Sequence, residues 1–175
     1  MTTVLYIVAG LIFLIIILTL LAPKTYDVSR SITIEKPKKE VFEVLRSLKK
    51  QDEWSPWAKK DPNMKKEFKG VDGEEGSVSY WLGNKEVGEG EQEIKKIIDG
   101  ERIEGELRFM KPFKSESNCY FITDEISEVN TKVTWGFSGK NKFPMSIMML
   151  FMSMDKMVGK DFEEGLSNLK TIMEG

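Results

Sequence analysis

The chain has 175 residues, with 26 Lys or Arg against 28 Asp or Glu, and a net charge of −2. It holds no histidine and one cysteine, Cys119. This excludes His-based triads, His-ligated zinc and an internal disulfide framework. It also gives no basic excess for a phosphate backbone, so neither a metal nor a nucleic acid is expected, and no cofactor is called for.

The run from Val4 to Ala22 carries no charge and has no polar face. At ~1.5 Å per residue it reaches about 28 Å, close to the ~30 Å of a bilayer's hydrocarbon core. The spacing predicts one transmembrane helix. A cleaved signal peptide is the rival reading, but Met1-Thr2-Thr3 supplies no basic residue and Leu20-Leu21-Ala22-Pro23 no A-x-A pattern. Lys24, Arg30, Lys36, Lys38 and Lys39 follow the run and no basic residue precedes it, which places the remainder on the cytoplasmic side. Residues 23–25 form a short linker, and residues 26–175 fit one domain.

Tyr26, Val28, Ile32 and Ile34 alternate with polar residues, the period of a strand with one apolar face. Pro37 suits a helix's first turn, and Val41, Phe42, Val44, Leu45 and Leu48 follow at helical spacing. Two Trp and two Pro between Gln51 and Asn63 suggest a packed connector with one helical turn. Six strand-like segments come next: Met64–Phe68, Ser77–Leu82, Val87–Ile98, Arg102–Met110, Lys114–Thr123 and Lys132–Ser138. Turns at Gly83-Asn84 and Asp99-Gly100 make them an antiparallel meander. A long helix is expected from Met145 to Met173, with an apolar stripe running from Leu150 through Phe162 and Leu169 to Met173. Gly159 and Gly165 interrupt it at a cost of about 1 kcal/mol each, which implies close approach to something bulky.

This order is α+β: a curved antiparallel sheet around a long C-terminal helix. Certain residues give it a family likeness. They are Ser31-Ile32-Thr33-Ile34 with Pro37 and Val41-Phe42, then Trp54-Ser55-Pro56-Trp57 and Asp61-Pro62. Gly88-Glu89-Gly90, Thr131-Lys132-Val133-Thr134-Trp135 and Asp161-Phe162-Glu163-Glu164-Gly165-Leu166 complete the set. With them the chain resembles the START-like (SRPBCC) superfamily, and within it the polyketide-cyclase/dehydrase and lipid-transport group in a membrane-anchored form. The resemblance implies a helix-grip fold with an elongated apolar cavity between sheet and final helix. It supplies no catalytic residue, because the superfamily shares no catalytic motif, and fold alone does not fix function.

Trp54, Trp57, Tyr80, Trp81, Phe109, Phe113, Trp135 and Phe137 are the aromatic candidates for the cavity lining; taken singly, each reads first as a core residue. Met149 and Met152 stand in a methionine-rich stretch whose flexible side chains suit a cavity mouth, ordinary core packing, or an apolar patch facing the membrane. Glu89, Glu91 and Glu93 share a strand face and read mainly as solvated, with a cation or base site as the sharper alternative. Arg30 interrupts an apolar face, so its charge either finds a partner or reaches water at the rim. Asp155, Lys156, Lys160 and Asp161 read as a solvated helix face with i,i+4 pairs.

The expected function is a membrane-tethered binding or transport module for a lipid or other hydrophobic small molecule. The alternatives are a cyclase- or dehydratase-type enzyme using a carboxylate, Tyr or Lys in the cavity, and an interaction domain with a filled core. A cavity discriminates the first from the last, and a buried acid with a raised pKa inside it would favour the enzyme.

Overall fold

The computed structural model describes residues 1–175. It opens with helix α1 (Thr2–Leu21), apolar throughout and long enough to cross a membrane by length and composition. Its residues are exposed except for Leu18 and Thr19 in the last turns, which are half-buried. Strand β1 (Thr25–Ile34) follows, then helix α2 (Lys38–Arg46) and two short helices, α3 (Gln51–Trp54) and α4 (Pro56–Lys60). The meander is β2 (Lys65–Lys69), β3 (Val78–Leu82), β4 (Glu89–Ile98), β5 (Arg102–Lys111), β6 (Ser115–Ser127) and β7 (Asn130–Lys140). The chain closes with α5 (Met145–Met148) and α6 (Met154–Glu174).

All neighbouring strands pair antiparallel in one seven-stranded sheet of order β1-β7-β6-β5-β4-β3-β2. The first strand therefore lies beside the last, with Thr25 opposite Lys140 and Ile34 opposite Thr131. Register shifts at Glu89/Gly90 and Ile94/Lys96 in β4, and at Glu125/Ser127 in β6, break the ladder locally, and such bulges increase twist and bend. The sheet curves around α6, as the alternating pattern and the terminal helical stripe predict.

The strand register gathers several turns at one end of this sheet. Thr25 pairs with Lys140, Gly139 with Ser117, Phe109 with Ser115, and Glu89 with both Lys111 and Leu82. The start of β1, the end of β7, the β5–β6 turn and the β3–β4 turn are thus all at the end from which α1 departs. α5 packs against α1 there.

The terminal helix departs from expectation. It is not continuous from Met145 to Met173: the chain turns between Met148 and Met154, with Ser153 extended as the N-cap of α6. Ile147 to Met152 is unbroken apolar sequence, so it has no period that commits one face to the core. Met149 turns inward while Phe151 and Met152 remain exposed. The connector after α2 holds two helical turns rather than one, and Pro56 opens the second, where its missing N–H costs nothing.

The glycines of α6 meet bulky partners. A Cβ at Gly165 would lie 2.7 Å from Trp135 Cζ3 and 3.1 Å from Pro56 Cδ; a Cβ at Gly159 would strike the Arg30 guanidinium. Arg30 is accordingly paired, not left at a free rim: its Nη1 donates to Asp155 at 2.7 Å and its Nε to Glu163 at 2.6 Å. These bonds raise the Arg30 pKa, and the hydrogen bond from Arg30, with its charge, holds Asp155 below the usual carboxylate range. Asp161 accepts from Lys60 of α4 at 2.8 Å. The acidic residues of α6 expected to make i,i+4 pairs instead tie the helix to β1 and α4.

Candidate functional site

The apolar face of the sheet and α6 do not close completely. Between them lies a cavity of about 330 Å³, lined mainly by apolar side chains. Its floor follows from the two-residue period of the strands. Trp81 on β3, Leu107 and Phe109 on β5, Cys119 on β6, and Trp135 and Phe137 on β7 all face it. Val158 and Phe162 of α6 form the opposite wall, and Trp57 and Ala58 of α4 close one side. Glu86 and Val87, in the β3–β4 turn, and Lys111 and Pro112, at the β5–β6 turn, stand at the end of the sheet near α1.

Trp135 is the hub of the aromatic packing. It stacks on Phe162 with ring centroids 4.5 Å apart and on Phe121 at 5.5 Å, and it meets Trp54 and Trp57 edge-on at 5.1 Å and 5.6 Å. Such arrangements suit the ring quadrupoles and fix ring planes as well as positions. The cavity wall on this side is therefore rigid. On the other side, Trp81 meets Phe109 edge-on at 6.0 Å.

Polar groups reach the cavity at few points. Ser79 and Gln92 face each other across the β3–β4 ladder and both line it. Asp52 and Lys66 line it as an ion pair. Asp52 is thus a partnered carboxylate. Cys119 is 5% exposed, and burial pushes its thiol up to about 12. It remains a neutral thiol at physiological pH and serves as a small apolar wall group, since nucleophilic thiol chemistry needs the thiolate.

Of the aromatic and methionine candidates, Trp57, Trp81, Phe109, Trp135 and Phe137 come together around the cavity. Trp54 does not line it: it is fully buried behind Trp135, its carbonyl held by Asn168 Nδ2 at 3.1 Å. Tyr80 occupies the opposite face of β3, where its hydroxyl donates to Glu89 at 2.9 Å. Phe113 is exposed in the β5–β6 turn. Met149 is buried and Met152 exposed in the turn before α6, and neither reaches the cavity lining. Among the wall residues that sequence reasoning misses are Leu107, Val158 and Phe162, which have the pattern of ordinary strand or helix apolar positions, together with Cys119, Ser79 and Gln92. The alternation on β5, with Leu107 and Phe109 on one side, is the signal available for Leu107.

The glutamates of β4 face away from the cavity. Glu91 and Glu93 receive Arg108 at 2.6 Å and 2.8 Å, and Glu89 receives Lys111 at 2.6 Å. Lys95 and Arg108 hold Glu93 below the usual carboxylate range, and Lys111 with the Tyr80 hydroxyl does the same for Glu89. Each carboxylate has a cation beside it, the arrangement of a paired outer face.

No family model and no curated protein sequence matches the chain. Solved structures do. The major latex-like protein 151 from Panax ginseng aligns with a TM-score of 0.62 at 12% identity, over 87% of this chain and 100% of that one. The chain has the START-like helix-grip fold. Ara h 8.0201 aligns at 0.53 and 12% identity, over 84% and 99% of the two chains. The Aha1 dimer from Colwellia psychrerythraea aligns at 0.58 and 12% identity, over 85% and 96%. Each of these alignments leaves out part of this chain while covering nearly all of the other protein. At these identities the likeness establishes the fold alone.

Proposed function

We propose that this protein is a membrane-tethered module that binds or carries an apolar small molecule or lipid in the cavity beneath α6. The observation that carries this reading is the cavity itself. Its volume of about 330 Å³ falls within the ~300–1,000 Å³ range of small-molecule sites. Its lining joins a rigid aromatic wall to the Ser79–Gln92 pair, which can orient a ligand's polar end. The resemblance to the lipid-transport group of the START-like superfamily supports the same ligand class. A core filled throughout, as an interaction-only domain would have, is not what these side chains build.

Native mass spectrometry of the full chain extracted in mild detergent tests the binding. The expected spectrum shows the protein with a co-purifying apolar molecule that is displaced by added fatty-acyl probe. A spectrum of bare protein, with no probe bound at saturating concentration, would overturn the reading.

The tether is α1, and the soluble domain lies on the cytoplasmic side because the basic residues cluster after the helix. The full chain should stay with membranes through carbonate extraction. Ile12→Arg with Ile15→Arg should release it, because a charge at the centre of a span costs roughly 2.5–3.5 kcal/mol. In intact cells an impermeant thiol reagent should leave a cysteine at the exposed Ser127 unlabelled until lysis. Wild-type protein washing off in carbonate would remove the tether from the proposal, and labelling before lysis would reverse the sidedness.

A further inference from the structure

From the end of the sheet nearest α1, we infer that the domain rests on the bilayer through a second, apolar contact: the β5–β6 turn and the segment from Phe143 to Met152 insert at the lipid interface. This rests on α1 being a membrane span.

Three observations lead to it. First, the connection has no slack. Ala22 is buried, Asn141 N–H donates to the Lys24 carbonyl at 2.9 Å, and Asn141 Nδ2 donates to the Pro23 carbonyl at 3.1 Å. Residues 22–25 can extend at most ~3.3–3.6 Å each, so even fully pulled out they keep this end of the domain within roughly 10–15 Å of the helix end. Second, that end is apolar where a soluble surface would be polar. Phe151 is 80% exposed, Phe113 69% and Phe143 64%, with Met148 and Met152 also exposed. The stretch from Phe143 to Met152 belongs to the segment that holds α5, which packs on α1, and the strand register brings Phe113's turn to the same end. Large exposed apolar side chains grouped in this way mark an interaction surface. Third, continuity with α1 identifies the occupant. The apolar surface begins where the apolar helix ends, and Lys114, Lys140 and Lys142 border it in the arrangement of interfacial anchors, apolar groups in the acyl region and ammonium groups at the headgroups.

The consequence concerns the cavity. Val87 and Pro112, at this same end of the sheet, line it. A domain seated in this way presents that end of its cavity to the lipid, so an apolar ligand passes between bilayer and pocket without crossing water.

The test uses the full chain reconstituted in vesicles of phosphatidylcholine and phosphatidylglycerol. In a Cys119→Ala background, single cysteines replace Phe13, Phe113, Phe151 and Val129, and each carries an environment-sensitive fluorophore. All four positions are exposed, so folding is unaffected, and circular dichroism verifies it. Nitroxide-labelled lipid should quench the probes at 13, 113 and 151 several-fold more than the probe at 129, in the β6–β7 turn at the far end. Quenching at 13 with 113 and 151 no more quenched than 129 would leave the span intact and overturn the second contact. No quenching at 13 would remove the span, and this inference with it.

Discussion

Filling the cavity from both walls should abolish uptake of an apolar probe. Leu107 on β5 and Val158 on α6 face the same space from opposite sides. Leu107→Trp combined with Val158→Trp places two indoles in about 330 Å³ that already has an aromatic wall. A fluorescent fatty-acyl probe that binds the wild-type chain saturably should bind the double variant at least about tenfold more weakly, a loss of ~1.4 kcal/mol. Each enlargement into occupied space costs about 1–3 kcal/mol of stability, so unfolding is measured alongside binding. Tyr80→Phe is the control. It alters a bulky aromatic on β3, but on the face turned away from the cavity, and should leave probe affinity unchanged. A folded double variant that binds as tightly as wild type would place the ligand elsewhere.

The largest loss of stability is expected from Trp135→Ala. This side chain contacts Phe162 on α6, Phe121 on β6, Trp54 on α3 and Trp57 on α4, and so joins helix, sheet and connector at one point. It also supports the close approach of α6 at Gly165. Removing a buried Trp costs ~3–5 kcal/mol, because transfer and cavity terms add. For a chain of this size, each kcal/mol moves the melting temperature by roughly 2–4 °C. Urea or thermal unfolding in detergent micelles should therefore show a fall on the order of 10 °C. A change below about 1 kcal/mol would mean that the aromatic cluster does not hold α6 to the sheet.

What the sequence determined by itself is local and periodic. The charge-free run before Pro23 has no polar face and nothing to break it, and the single apolar helix α1 is the result. The two-residue alternations at Tyr26–Ile34, Arg102–Met110 and Val133–Phe137 specify strands with one apolar face. The 3.6-residue stripe through Phe162 and Leu169 specifies the terminal helix, and the glycines at 159 and 165 show that something bulky lies against it. Together with the family likeness, these were enough for the helix-grip fold.

Tertiary structure decided everything that depends on a partner. Period two says that Tyr80 and Trp81 point opposite ways, but only the placement of β3 against β4 and α6 decides that Trp81 lines the cavity and Tyr80 does not. Trp54 and Trp135 are both cavity candidates by sequence; the first is sealed behind the second because α3 is tucked beneath α6. Arg30 could have been a free rim charge until the packing of α6 on β1 brought Asp155 and Glu163 to its guanidinium. The unbroken apolar run from Ile147 to Met152 carries no periodic instruction, so its course is set by contact with α1 and by the N-terminus of α6. The physical reason is the same in each case. Backbone periodicity is encoded residue by residue, whereas a cavity is space that distant segments fail to fill, and no local pattern records it.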